Sequence, residues 1–277
     1  MCRSVRGSDH PPWFRRGNGE RAGAHGEKSG GEPRVTRAFA AAGGARDTMA
    51  LSCRRDACRP TFLARYLSTD STMQTVAVLD FETTGLSPNL GDRATEIAVI
   101  LLRDGEIVDR YQSLMNAGRR IPSDVVALTG ITNEMIASAP PVSQVMKEAA
   151  AFVGNHPVVA HNAGFDKRFW QAELGMLGMA AEHAFACTML VARRIYPHAR
   201  SHRLSSLADM LRLPQTGRAH RAMVDAEIAS HLWCRLQRDI GATYGLRHID
   251  HGLMSRLQTT SKAKVATFFG SLAADGR

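Results

Sequence analysis

Four carboxylates and one imidazole carry the chemistry that can be read from this chain of 277 residues. Asp80 and Glu82 lie two apart in LDFETTGL, and in an extended strand residues i and i+2 face the same way. Two carboxylates that close repel each other unless a cation sits between them. Thr83, Thr84 and Gly85 follow at once, offering hydroxyls and a flexible turn that lets a ligand approach the backbone. Asp166 ends VVAHNAGFD, where a short apolar run enters a polar bend and then a helix. Alone, that position reads as a helix-start cap or dipole partner. Asp225 follows His220 by five residues in GRAHRAMVDAEIA. On one continuous helix that spacing sets two side chains about 140° apart. They converge only if His220 occupies the loop or first turn leading into the helix of Asp225, and Gly217 upstream allows such a loop. Together the five side chains make up the set required for two-metal phosphodiester hydrolysis. Oxygen ligands suit Mg²⁺ or Mn²⁺, and two such ions stabilise the attacking and leaving oxygens of an in-line displacement. A neutral imidazole can take the proton of the attacking water.

The elements that must position these residues are visible in the periodicity. Residues 75–80 (TVAVLD) form a β-branched apolar run, the composition of a buried central strand. Residues 96–102 (EIAVILL) and 107–115 read as two further strands joined by Asp104-Gly105, a hairpin dipeptide. Helical spacing of apolar residues runs over 143–153. Residues 157–160 (PVVA) are a short strand, 164–177 a helix, 184–187 a last short strand, and 204–211 and 220–236 two more helices. Three consecutive strands followed by strands alternating with helices predict an α/β fold with a mixed sheet, an antiparallel hairpin run joined to parallel βα units. The stretch from residue 240 contains one recognisable helix, 262–272.

Composition narrows the setting. Lys and Arg number 35 against 26 Asp and Glu, a net charge of +9, which favours an anionic partner such as nucleic acid. The excess is uneven: residues 1–72 hold 13 basic against 7 acidic side chains, and the remainder 22 against 19. Residues 1–72 are rich in Gly and Arg and lack either periodicity, so they read as a disordered basic tail. A targeting peptide fits poorly because of the acidic residues. An over-long gene model is the alternative, with Met49 or Met73 as the start. Five cysteines without C-x-x-C spacing argue against a disulfide framework or zinc knuckle and for a reducing, cytoplasmic setting. No apolar run approaches the roughly 20 residues needed to cross a bilayer, so no membrane is expected.

In their order and spacing, LDFETTGL, LTGIT, AHNAGFD and AHRAMVDA resemble the DEDDh (DnaQ-like) 3′–5′ exonucleases, the family of the polymerase III epsilon proofreading subunit and ribonuclease T. The resemblance covers residues 74–240. It implies a ribonuclease H-like fold, a five-stranded mixed sheet flanked by helices, over residues 73–240, with 241–277 a helical extension. It also implies that Asp80, Glu82, Asp166 and Asp225 bind two divalent ions, Mg²⁺ or Mn²⁺, and that His220 is the general base. Substrate contacts implied in the same way are Thr83 and Leu86 on the terminal sugar and base, Thr129 of LTGIT, and Asp124. Thr129 stands where the epsilon subunit has a histidine, and Asp124 reads equally as a helix N-cap after Pro122. His161 reads as a loop-ordering residue. Oligoribonucleases carry Met after the first Glu, where this chain has Thr83. The expected activity is release of nucleoside 5′-monophosphates from single-stranded or frayed 3′ ends, DNA favoured, with a DNA polymerase subunit open as a partner. Two alternatives stand beside it: an RNA-processing exoribonuclease of the same family, and a non-catalytic subunit that binds DNA ends or a polymerase.

Overall fold

The computed structural model describes residues 15–16, 74–215, 217 and 219–275. The reading of residues 1–72 as a disordered tail therefore falls outside the described residues, except at Arg15–Arg16. That pair forms a two-residue strand, β1, against the sheet edge, which the expectation of a structureless tail did not include.

The expected five-stranded mixed sheet is present. Its strands are β2 (Thr75–Thr83), β3 (Ala94–Arg103), β4 (Glu106–Leu114), β5 (Val158–Ala160) and β6 (Phe185–Cys187), and β1 adds a sixth at the edge, in the order β1-β4-β3-β2-β5-β6. β2, β3 and β4 are antiparallel, whereas β5 and β6 run parallel to β2. The β3–β4 turn is Asp104-Gly105, both at positive φ (51° and 85°), the backbone that a two-residue primed hairpin demands.

Helices cover both faces. Val76, Val78, Ala98 and Ile100 pack against α5 (Thr188–Ile195), α6 (Leu204–Leu211), α7 (Ala222–Tyr244), α8 (His251–Thr259) and α9 (Val265–Asp275). Ala77, Leu79, Phe81, Ile97 and Val99 pack on the other face against α3 (Val142–Val153) and α4 (Gly164–Gly175). Two short helices, α1 (Ser123–Thr129) and α2 (Asn133–Ala137), close a small separate cluster around Ile121, Ile131 and Ile136. Burial on both faces is why β2 reads as a nearly unbroken apolar run. The stretch beyond residue 240 differs from its reading: α7 continues to Tyr244, and α8 precedes the expected last helix. No helix among the described residues is long and apolar enough to cross a membrane.

Candidate active site

β2 is longer than its parallel neighbour. Pairing with β5 involves Ala77 and Val78, while pairing with β3 continues to Thr83. Residues 80–83 therefore overhang the carboxyl end of β5, the side of an α/β sheet where ligands bind. On this overhang Asp80 and Glu82 continue the face of Val76 and Val78, towards α7. A register shift at Glu82/Thr83 ends the strand, a device that re-aims side chains beside sites. Because β5 has stopped, the Phe81 N–H is free to donate to Asp166 Oδ1, at 3.2 Å. That bond draws the first turn of α4, from the opposite face, to the strand end.

α7 supplies the rest. His220 precedes the helix, at φ 63°, and its N–H donates to Asp225 Oδ2 at 2.9 Å. The loop placement that convergence required is thus present. Donor atoms of Glu82, His220 and Asp225 lie within 4.8 Å of one another. Asp80, Glu82, Asp166, Asp225 and His220 all line one pocket of about 240 Å³. An apolar wall of Leu86, Val125, Leu128 and Phe165 faces them, with Leu86 79% exposed.

Thr83, Leu86 and Thr129 also line this pocket; Asp124 does not. Asp124 is exposed in the first turn of α1, whose N-cap is Pro122, so it is not the cap either. Hydroxyls here are already engaged: Thr83 donates to the Gly85 carbonyl (2.6 Å), and Thr129 donates to Val125 O (3.0 Å). Gly85 packs close to Asp92: a Cβ there would lie 2.5 Å from the Asp92 carboxylate, which would have to move. His161 stands on the pocket rim with both nitrogens occupied. A carbonyl only accepts, so Nε2 carries the proton to His202 O (3.0 Å) and Nδ1 faces the Thr188 hydroxyl (2.9 Å). Burial lowers its pKa to about 4, keeping it neutral.

Two buried glutamates that sequence reasoning passed over tie the ligand-bearing helices to β3. Glu173 of α4 pairs with Arg93 (2.8 Å) and accepts the Ala94 N–H (3.1 Å). Glu96 pairs with Arg221, the N-cap of α7. Glu96 was detectable, because a carboxylate inside EIAVILL must find a countercharge.

The electrostatics of the pocket call for a cation. Burial, then Asp166, Glu82 and Asp225, push Asp80 well above the usual carboxylate range. Burial and Asp225 raise Glu82 to about 8, and burial raises Asp166 to about 7 against the Phe81 N–H, which lowers it. Burial also raises Asp225. An all-oxygen donor set with an imidazole beside it fits a hard divalent ion. Because each folded-state pKa is raised, this stabilisation is complete below the unfolded values, near about 4, and is lost as pH rises through the folded ones. In chelator, the thermal midpoint should therefore decline from about pH 4 to about pH 8. Added Mg²⁺ or Mn²⁺ should raise it most at the alkaline end. A midpoint that ignores both pH and metal would contradict the clustering.

Comparison with known proteins places the chain in a family and agrees with its fold. The RNase_T family of exonucleases matches residues 77–232, more than half of the chain. The chain belongs to this exonuclease family. A "DNA polymerase III PolC-type" of Bacillus cereus is 34% identical over 168 residues, covering 60% of this chain and 12% of that protein. The PolC-type polymerase of Thermotoga petrophila is 36% identical over 185 residues, 65% of this chain and 13% of that protein. This exonuclease domain thus corresponds to a small part of those polymerases. Among solved structures, Exonuclease X in complex with 5′ overhanging duplex DNA superposes with a TM-score of 0.53 at 26% identity, covering 66% of this chain and 99% of that one. The nuclease domain of 3′hExo, a DEDDh family member bound to rAMP, gives 0.54 at 20% identity, covering 62% and 95%, and agrees in fold.

Proposed function

We propose that this exonuclease degrades single-stranded or frayed DNA from its 3′ end in the cytoplasm, releasing nucleoside 5′-monophosphates. The carrying observation is the convergence of Asp80, Glu82, Asp166 and Asp225 with His220 in one pocket beside an apolar wall. Asp80, Glu82, Asp166 and Asp225 would hold two divalent ions, Mg²⁺ or Mn²⁺. When bound, these ions neutralise the phosphate and stabilise charge on the attacking and leaving oxygens. His220, exposed at the mouth, accepts a proton from water as the water oxygen bonds to phosphorus. The bond to the 3′ oxygen of the preceding nucleotide breaks, and that oxygen leaves with the electron pair and takes up a proton. Leu86, Val125, Leu128 and Phe165 give the terminal base an apolar surface to rest on. Thr83 and Thr129, with their hydroxyls already engaged, shape the pocket around the sugar.

DNA is favoured because the matched polymerases are DNA polymerases and Exonuclease X was captured on DNA. The PolC-type relatives also support a proofreading role beside a polymerase subunit. RNA is the second reading, favoured by the rAMP in the 3′hExo structure. Matched DNA and RNA oligomers, labelled at the 5′ end, test both. A ladder shortening from the 3′ end, with 5′-monophosphates as product and DNA cut faster, is expected. EDTA should stop the reaction, and restored Mg²⁺ or Mn²⁺ should return it. Undiminished cleavage in EDTA, or shortening from the 5′ end, would sink the proposal.

A further inference from the structure

Arg221 follows His220 directly, yet its side chain does not line the pocket and pairs with Glu96 instead. Its guanidinium forks onto Glu96, Nε to Oε2 at 3.1 Å and Nη2 to Oε1 at 2.8 Å. Gln112 Nε2 donates to the same Oε1 (2.8 Å), and the Ala222 N–H to Oε2 (3.1 Å). Glu96, with 1% of its side chain exposed, thus takes four hydrogen bonds, three of them from Arg221 and Ala222 at the start of α7. Register sets Glu96 opposite Glu82, so this knot sits on the neighbouring strand directly beside a residue that lines the pocket. A buried ion pair seldom stabilises a fold more than apolar side chains of like volume would. The strand around it, Ala94–Arg103, is otherwise almost wholly apolar.

The neighbouring backbone shows what the pair does. His220 lies in the left-handed region, uncommon for a residue with a side chain and retained only where the surroundings enforce it. On its helix side it is held twice: through its own N–H to Asp225, and through Arg221 to β3. A bidentate fork fixes direction as well as distance.

We propose that the Arg221–Glu96 pair is a positioning device that locks the N-terminus of α7 onto β3 and thereby aims His220 into the pocket. The assignment rests on the nuclease reading for its kinetic consequence, but its structural consequence is independent. Arg221→Lys keeps the charge and loses the fork. A misplacement of about 1 Å costs on the order of a hundredfold in rate, so in the full chain kcat on single-stranded DNA should fall at least about tenfold with KM within about twofold. Histidine ring signals of the metal-free protein, assigned by His220→Gln, should show His220 shifted or broadened and His251, packed under Trp233, unchanged. Glu96→Gln, which keeps an acceptor for the Ala222 N–H, is read in the same way should Arg221→Lys not fold. Unmoved His220 signals overturn the proposal, as does a kcat loss that only follows the folded fraction. A wild-type protein without nuclease activity defeats the functional reading instead, while the His220 signals still test the positioning.

Discussion

Asp80→Asn should yield a folded protein with nuclease activity lowered by about a thousandfold or more, and with a higher thermal midpoint in chelator than the parent. The two effects share one cause. Asp80 lies where the other carboxylates crowd, and burial together with Asp166, Glu82 and Asp225 drives its pKa far upward. An amide of nearly the same shape is neutral without taking up a proton, so the cost of burying that carboxyl among like groups disappears. On the proposed function the same change replaces an anionic metal ligand with a neutral one where phosphate charge must be balanced, and such electrostatic stabilisation is usually the largest share of catalysis. Scanning calorimetry in EDTA and digestion of a 3′-labelled strand check both halves. A variant less stable than its parent in EDTA would mean that Asp80 serves packing rather than charge.

His220→Gln should lower kcat by about 10²–10⁴, the usual worth of a positioned general base, with KM little changed. His220 is exposed and its ring makes no hydrogen bond among those described, so the fold should tolerate the loss. Asp225 and Glu82 remain, and the rise in thermal midpoint caused by Mn²⁺ should survive. This separates His220 from the carboxylates, whose loss should weaken that rise. Parent-like turnover in the variant would assign proton transfer elsewhere. Loss of the Mn²⁺ effect would make His220 a ligand instead.

Much of the site was legible because strand and helix periods are rigid rules. The i, i+2 spacing put Asp80 and Glu82 on one face, and the five-residue gap from His220 to Asp225 forced a loop placement that φ 63° fulfils. The Asp104-Gly105 turn fixed the β3–β4 register. What escaped lacked such a rule. α1 and α2, of seven and five residues, are too short to show a period. Arg221 lay inside a quoted motif, but its partner is 125 positions away on β3. Leu128 and Phe165 join the pocket only through tertiary packing, so spacing in the chain gave no sign of them. Asp124 was placed by analogy alone, and α1 turns it outward, away from the pocket.

The bond from Phe81 to Asp166 joins residues 85 positions apart, and that from Arg221 to Glu96 spans 125. No single hairpin contains both ends of either. During synthesis His220 and Asp225 can join the other carboxylates only once α7 has emerged and docked, so cleavage is expected no earlier than that step. Recovery of cleavage after dilution from denaturant should therefore follow the slowest tertiary step, while earlier species, however compact, leave nearby nucleic acid untouched.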